Sequence, residues 1–207
     1  MGKLKLEQGK GPLPVLVAYP VVMVGSVVDG KPDFATVAWT GVAASTPPTI
    51  SVALQHHRHS LKGIRHSMTF SVNIPSVDQV RETDYCGLVS GAKADKVRDC
   101  GFNVFYGKLE GAPLIEQCPV NHACEVLQIL NLGSHELIVG RIVETHVSED
   151  CLTEGRVDAR KARPFFFAGK YCGLGEPVGE PFKVGAGMNP AARMDTLEEI
   201  GRMRKTG

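Results

Sequence analysis

Between Asp33 and Ser60 the chain carries two features that could do chemistry. The first is Thr36-Val37-Ala38-Trp39-Thr40-Gly41, where small residues follow a short β-like run. Small residues there let a ligand approach the backbone closely, and Thr36 and Thr40 add hydroxyls. The same letters also read as an ordinary strand and turn with a buried tryptophan. The second is Gln55-His56-His57-Arg58-His59-Ser60, at a strand end leading into a helix. Free N–H groups and the helix dipole favour an anion at such a start. Ser60 adds a hydroxyl, and Arg58 and His59 add cationic donors. A solvated basic strand end is the plainer reading. The H-H-x-H pattern invites a metal reading too, but adjacent residues on a strand point to opposite faces and cannot all ligate one ion. Further on, Ser90-Gly91-x3-Asp95-Lys96 gives a tight turn whose amides can nest an anion. Lys96 presents a cation there, while Asp95 orders the next helix; helix capping alone also explains the segment. Together the three segments suit a flat ligand that carries a phosphate.

These segments need a scaffold, and the first half of the chain supplies short β-like runs with turn punctuation. Val15–Val17 and Val21–Val27 are bounded by Pro14, Pro20 and Gly30. Asp29-Gly30 is a strong hairpin signal, so Phe34–Trp39 is the expected returning strand. Pro47-Pro48 interrupts, and Thr49–Leu54 resumes as a β-branched strand. Thr69–Ile74 alternates, with Phe70, Val72 and Ile74 on one face. Ser60 is placed to cap a helix from Leu61. Ser76-Val77-Asp78-Gln79 is a capping box opening a helix to about Glu82, and Asp95–Cys100 forms another, ended at Gly101. In the second half, His122–Leu130 and His135–Val147 are long strand candidates, and Arg163–Ala168 is a last one. From Gly173 the composition shifts to Gly and Pro. Asn189-Pro190 then starts a terminal helix with Met194, Leu197 and Ile200 as a narrow apolar stripe. That tail docks either on its own domain or on a second subunit.

Frequent strands with single short helices between them predict a mainly β fold, a closed or partly closed barrel rather than an α/β sheet. The chain of 207 residues suits one main domain, with residues 1–13 as an extension, 14–172 as the barrel and 173–207 as arm and helix. Net charge is +1, from 23 Lys+Arg against 22 Asp+Glu. No basic excess points to nucleic acid or an anionic membrane, so an anion site must be local. No apolar run reaches the roughly 20 residues of a membrane-spanning helix. The charged start Met1-Gly2-Lys3-Leu4-Lys5 lacks a secretion signal. A cytoplasmic protein is expected, with its six scattered cysteines as buried, reduced thiols.

In order, A-T-V-A-W-T-G, S-T-P-P-T-I-S-V-A-L, R-H-S-L-K-G-I, F-S-V-N-I-P and S-G-x3-D-K resemble the flavin reductase-like domain, and more narrowly the flavoredoxin branch of the FMN-binding split-barrel proteins. The resemblance covers roughly residues 14–147. It implies a Greek-key split-barrel homodimer with one FMN per subunit near the dimer interface. By position, Thr36, Val37, Ala38, Trp39 and Thr40 would line the isoalloxazine ring, and Ala53, Leu54 and Gln55 would run beside the ribityl chain. Arg58, His59 and Ser60 would hold the phosphate. Asn73 would lie near the cofactor. Ser90, Gly91 and Lys96 would close over the phosphate or ribityl end. Cys86-Gly87 takes the place of small residues before that turn, which brings Cys86 near the flavin. The Gly-Asp-x-Thr-Gly-type segment and C-terminal histidine of many NAD(P)H:flavin reductases have no clear match; Gly133-Ser134-His135 offers His135 instead.

What the resemblance implies is an FMN-dependent oxidoreductase in which the flavin supplies the chemistry and the protein supplies position and electrostatics. NAD(P)H would reduce FMN, which would reduce free flavin, ferric chelates or a protein partner. Two alternatives stay open: a flavoredoxin-like electron carrier without nicotinamide specificity, and a non-redox flavin- or ligand-binding split barrel.

Overall fold

The structure is a computed structural model that describes residues 16–181, 183–185 and 188. Its first unit runs to Leu174 and is built on one antiparallel sheet. After β1 (Tyr19–Pro20), β2 (Val22–Val28) and β3 (Lys31–Val37) form the expected hairpin. Asp29 and Gly30 both take positive φ, 50° and 76°, as a two-residue turn with right-handed strand twist requires. β3 ends earlier than expected, and a strand unforeseen in the sequence follows, β4 (Thr40–Ser45). Its Gly, Ala and Ser residues carry no strand signal, and it lies at the sheet edge. Leu16 and Val17 are not in a strand, against the expectation for Val15–Val17; Val17 takes φ 71°.

β5 (Pro48–Gln55) leads to α1 (Ser60–Ser67) and β6 (Thr69–Ile74). Ser60 is the first residue of α1 rather than its cap; His59 occupies that position and makes no side-chain capping bond. The capping box at Ser76 and Gln79 is present, and it opens a 3₁₀ turn that continues into α2 (Val80–Leu88), longer than expected. α3 (Lys96–Cys100) is capped by Asp95 through the Arg98 N–H and closed by Gly101 at φ 63°. A small ladder of β7 (Val104–Phe105) and β8 (Leu114–Ile115) precedes the two long strands, β9 (Val120–Asn131) and β10 (His135–Val147). β11 (Leu152–Thr153), β12 (Arg156–Val157) and the aromatic hairpin of β13 (Phe165–Phe167) and β14 (Tyr171–Gly173) complete the unit.

The main sheet runs β3-β2-β6-β9-β10-β5-β4, and every pair in it is antiparallel. β5 returns beside the last of β6, β9 and β10, the Greek-key arrangement. The ladder stays open between β3 and β4, which makes the barrel a split one. Its core is Val24, Val52, Leu54, Phe70, Val72 and Ile138, with Leu61 and Ile64 of α1 closing one end. Gly140 lets β10 pass Phe70; a Cβ there would lie 2.4 Å from the ring. All six cysteines are free thiols. Burial raises the pKa of Cys86, and pushes Cys118 and Cys124 to about 12.

The second unit is Gly175–Gly207. Where described it is turns and irregular chain, with an ion pair between Lys183 and Glu180. The extension 1–13 and the terminal helix from Asn189 lie outside the described residues. Among those described, no helix is long and apolar enough to cross a membrane.

Candidate functional site

The turn between β3 and β4 is held open by the sheet beside it. Trp39 O accepts the Ala53 N–H at 2.8 Å, and Thr40 Oγ1 donates to Ser51 O at 2.8 Å. Thr36 Oγ1 donates to Thr83 O, which binds β3 to α2. Beside this turn lies a cleft of about 320 Å³. Thr36, Val37, Ala38 and Trp39 line it, as do Ala53, Leu54, Gln55, Arg58, Gly87 and His135. The size suits a small-molecule site. Trp39 stacks on His135 with centroids 4.3 Å apart and planes at 29°. Burial lowers the pKa of His135, and His56, Arg58 and His57 add to the effect. Its ring is therefore neutral at pH 7. Thr40 lines a neighbouring apolar cavity instead, which shares Ala38, Trp39 and Ala53 with the cleft.

A smaller cavity of about 160 Å³ joins the cleft at Arg58, Gly87 and Leu88. His57, Arg58, His59, Ser90 and Lys96 line it. Arg58 Nη1 donates to Gly87 O at 2.7 Å, which places the guanidinium at the junction. The turn that carries Arg58 is fixed from β10. Glu136 is buried, takes both a hydrogen bond and an ion pair from Arg65, and sits 3.4 Å from His56 Nδ1. His56 Nε2 is in turn 2.6 Å from Gly133 O.

Beneath the small cavity lies a buried charge cluster. Lys96 Nζ donates to Phe34 O at 2.5 Å and to Cys86 O at 3.3 Å, and pairs with Asp33 Oδ1 at 3.3 Å. Ser60 Oγ donates to Asp33 Oδ2 at 2.6 Å. Asp33, Ser60 and Lys96 are all buried. A buried charge persists only when paired and hydrogen-bonded, and here each is. Gly91 is glycine because of this cluster: a Cβ there would stand 2.0 Å from Asp33 Oδ1.

A flat slot that opens at one end into a basic cavity matches a ring bearing a phosphate, and the donors present fit it. Arg58 supplies a cation, His57 and His59 ring nitrogens and Ser90 a hydroxyl, and the start of α1 adds its dipole. The flavin reductase like domain matches residues 15–175. The chain belongs to that family. Flavoredoxin from Methanosarcina acetivorans shares 31% identity with it at a TM-score of 0.85, over 91% of this chain and 100% of that one. Flavoredoxin of Desulfovibrio vulgaris (Miyazaki F) shares 29% at a TM-score of 0.79, over 88% of this chain and 100% of that one. An uncharacterised protein of Archaeoglobus fulgidus is 29% identical over 129 residues, covering 62% of this chain and 72% of the relative.

Within this flavin reductase-like frame, the structure brings most of the expected cleft residues together and gives several others partners inside the protein. Ser60 is buried, and its hydroxyl proton goes to Asp33. Lys96 borders the small cavity, yet its ammonium group is spent on Asp33 and two carbonyls. Cys86 turns its thiol into a core cluster with Met23, Phe34 and Phe102, while its neighbour Gly87 lines both cavities. Asn73 is fully buried and lines none of these three cavities. Its amide donates to Met23 O and Ser71 Oγ, and its oxygen accepts from Ile115 N–H and Asn121. Sequence reasoning missed Asp33 as the hub; its one signal is a charge amid the apolar letters of β3. It also missed Val21, Asp84, Leu88, Phe167 and Tyr171, which line the cleft from elements distant in sequence.

Proposed function

We propose that the chain binds FMN, with the ring in the larger cleft and the phosphate in the small basic cavity, and works as an FMN-dependent oxidoreductase. The observation that carries this is Arg58, placed where the two cavities meet. Bound FMN would supply the electron transfer; the chain supplies binding and electrostatics. Residues 36–39 would line the ring system and 53–55 the ribityl chain. Arg58, His57, His59 and Ser90 bind the phosphate through charge-assisted contacts. Neutral His135 fixes the Trp39 ring by stacking. NAD(P)H is the proposed electron donor, and free flavin, a ferric chelate or a related acceptor takes the electrons.

A second reading is an electron carrier without nicotinamide specificity that serves a redox protein partner. It is favoured by the 31% identity to a flavoredoxin. Homodimerisation is part of either reading. It rests on the family's resemblance, and its measurement is the mass of the purified protein in solution by light scattering. A cytoplasmic location belongs to the proposal as well, in keeping with the six free thiols.

The deciding experiment is an absorption spectrum of the purified protein, followed by anaerobic stopped-flow mixing with NADH and NADPH. A yellow protein whose flavin bleaches with either nucleotide meets the first reading. Bound FMN that neither nucleotide reduces at a useful rate moves the assignment to the carrier. A colourless protein that takes up no FMN on titration removes both and leaves a non-redox binding protein.

A further inference from the structure

Part of the cleft has no task in the reading above. α2 and the β13–β14 hairpin contribute Asp84, Leu88, Phe167 and Tyr171 to its lining. These residues are held in place. Tyr171 OH donates to Asp84 Oδ1 at 2.7 Å, and the Tyr171 ring stands edge-on to Phe165 and Phe167 at 5.4 and 6.0 Å. Arg163, ahead of β13, makes a paired contact with Asp78, ahead of α2, at 2.7 and 3.1 Å. Even so, the apolar members stay open to solvent: Leu88 is 77% exposed and Phe167 37%.

Charge divides the cleft in a similar way. Its titratable lining groups are Arg58, Asp84, His135 and Tyr171. Arg58 leans on Gly87 O toward the basic cavity. Burial, helped by His56, Arg58 and His57, lowers the pKa of His135 below its ordinary value, and burial together with the Asp84 bond pushes the Tyr171 phenol up to about 12. Asp84 is thus the negative charge among the described lining residues, and it is bonded to the Tyr171 ring, which in turn meets Phe167.

We propose that Asp84, Leu88, Phe167 and Tyr171 form the subsite for the second ligand of the reaction, and that it selects flat rings that are neutral or cationic over anionic ones. The proposal rests on the reading that FMN fills the rest of the cleft. Aromatic side chains favour a flat ring and attract a cation to their faces, and the carboxylate repels an anion. Polycarboxylate chelates of ferric iron, which carry negative charge, are then disfavoured acceptors.

The test uses three single-ring probes: phenyltrimethylammonium, benzamide and benzoate. Each is titrated into FMN-loaded protein, read by the absorption change of bound FMN. Each is also titrated into unloaded protein, read by quenching of Trp39, the chain's single tryptophan, which lines the same cleft. The cation and the amide are expected to bind more tightly than benzoate. Asp84→Asn keeps an acceptor for Tyr171; it should weaken the cation and tighten benzoate by about fivefold each, the worth of one charge at contact in water, and so shrink the cation-to-anion preference by about 25-fold. Benzamide affinity should hold. Tyr171→Phe should leave the charge preference in place. Benzoate binding as tightly as the cation, a preference unmoved by Asp84→Asn, or no probe binding to either form would overturn the proposal. If the protein takes up no FMN, that reading falls by itself, and the probe ratio in unloaded protein still decides this one.

Discussion

Ser60 Oγ donates to Asp33 Oδ2 at 2.6 Å, and both groups are buried. The bond joins the first turn of α1 to β3, so the hydroxyl acts on the fold and not on a ligand. Ser60→Ala is expected to leave a buried carboxylate short of a donor, at a cost of about 1–3 kcal/mol in stability. Urea unfolding measures it. FMN and riboflavin affinities should fall alike, if they fall; a selective loss of FMN would return Ser60 to the phosphate.

Arg58 behaves oppositely. Its guanidinium is the cation at the junction of cleft and basic cavity, and Arg58→Ala should weaken FMN more than riboflavin, which lacks the phosphate. A charge-assisted contact is worth about 1.5–3 kcal/mol, or roughly tenfold or more in affinity. Fluorescence titration of both ligands reads the difference, and equal losses would remove Arg58 from the phosphate site.

His122 gives the protein an acid-side weakness. Burial holds its pKa below the ordinary 6.5, so the unfolded chain takes up a proton that the folded protein refuses. Stability from this group is complete above pH 6.5 and is lost as the pH falls through the window below it. Asp99 and Asp158, held low by bonds from Arg98 and Thr153, titrate beneath that window. Urea midpoints at pH 7.5 and 5.5 should drop in the wild type and drop less in His122→Asn. His135 acts with the same sign in both proteins.

Thiol labelling should separate the cysteines. Burial raises the pKa of Cys86, Cys118 and Cys124, and the reactive species is the thiolate. Iodoacetamide at pH 8 should modify half-buried Cys172 first and these three only on unfolding. Rapid labelling of Cys86 in native protein would contradict its place in the core.

The fold was legible where the sequence signal is local. Asp29-Gly30 sets the β2–β3 hairpin, alternation in 69–74 sets β6, and Ser76 with Gln79 sets the capping box. The cleft was legible through order along the chain: residues 36–39, 53–55 and 58 do meet. What stayed hidden depends on contacts far apart in sequence. Lys96 reads as a free cation until Asp33 is placed 3.3 Å away, 63 residues earlier in the numbering. Tyr171 has no meaning without Asp84. β4 has weak strand formers and exists because β5 offers it a partner.

The Asp33–Lys96 pairing also governs how firmly a phosphate can be held. Because those two charges cancel inside the protein, the floor of the small cavity is close to neutral. The charge left to attract an anion is that of Arg58, which stands nearer to solvent than the buried pair. Counter-ions screen such groups far more than interior ones. Raising ionic strength should therefore loosen FMN at the proposed phosphate site more than riboflavin, which lacks the phosphate.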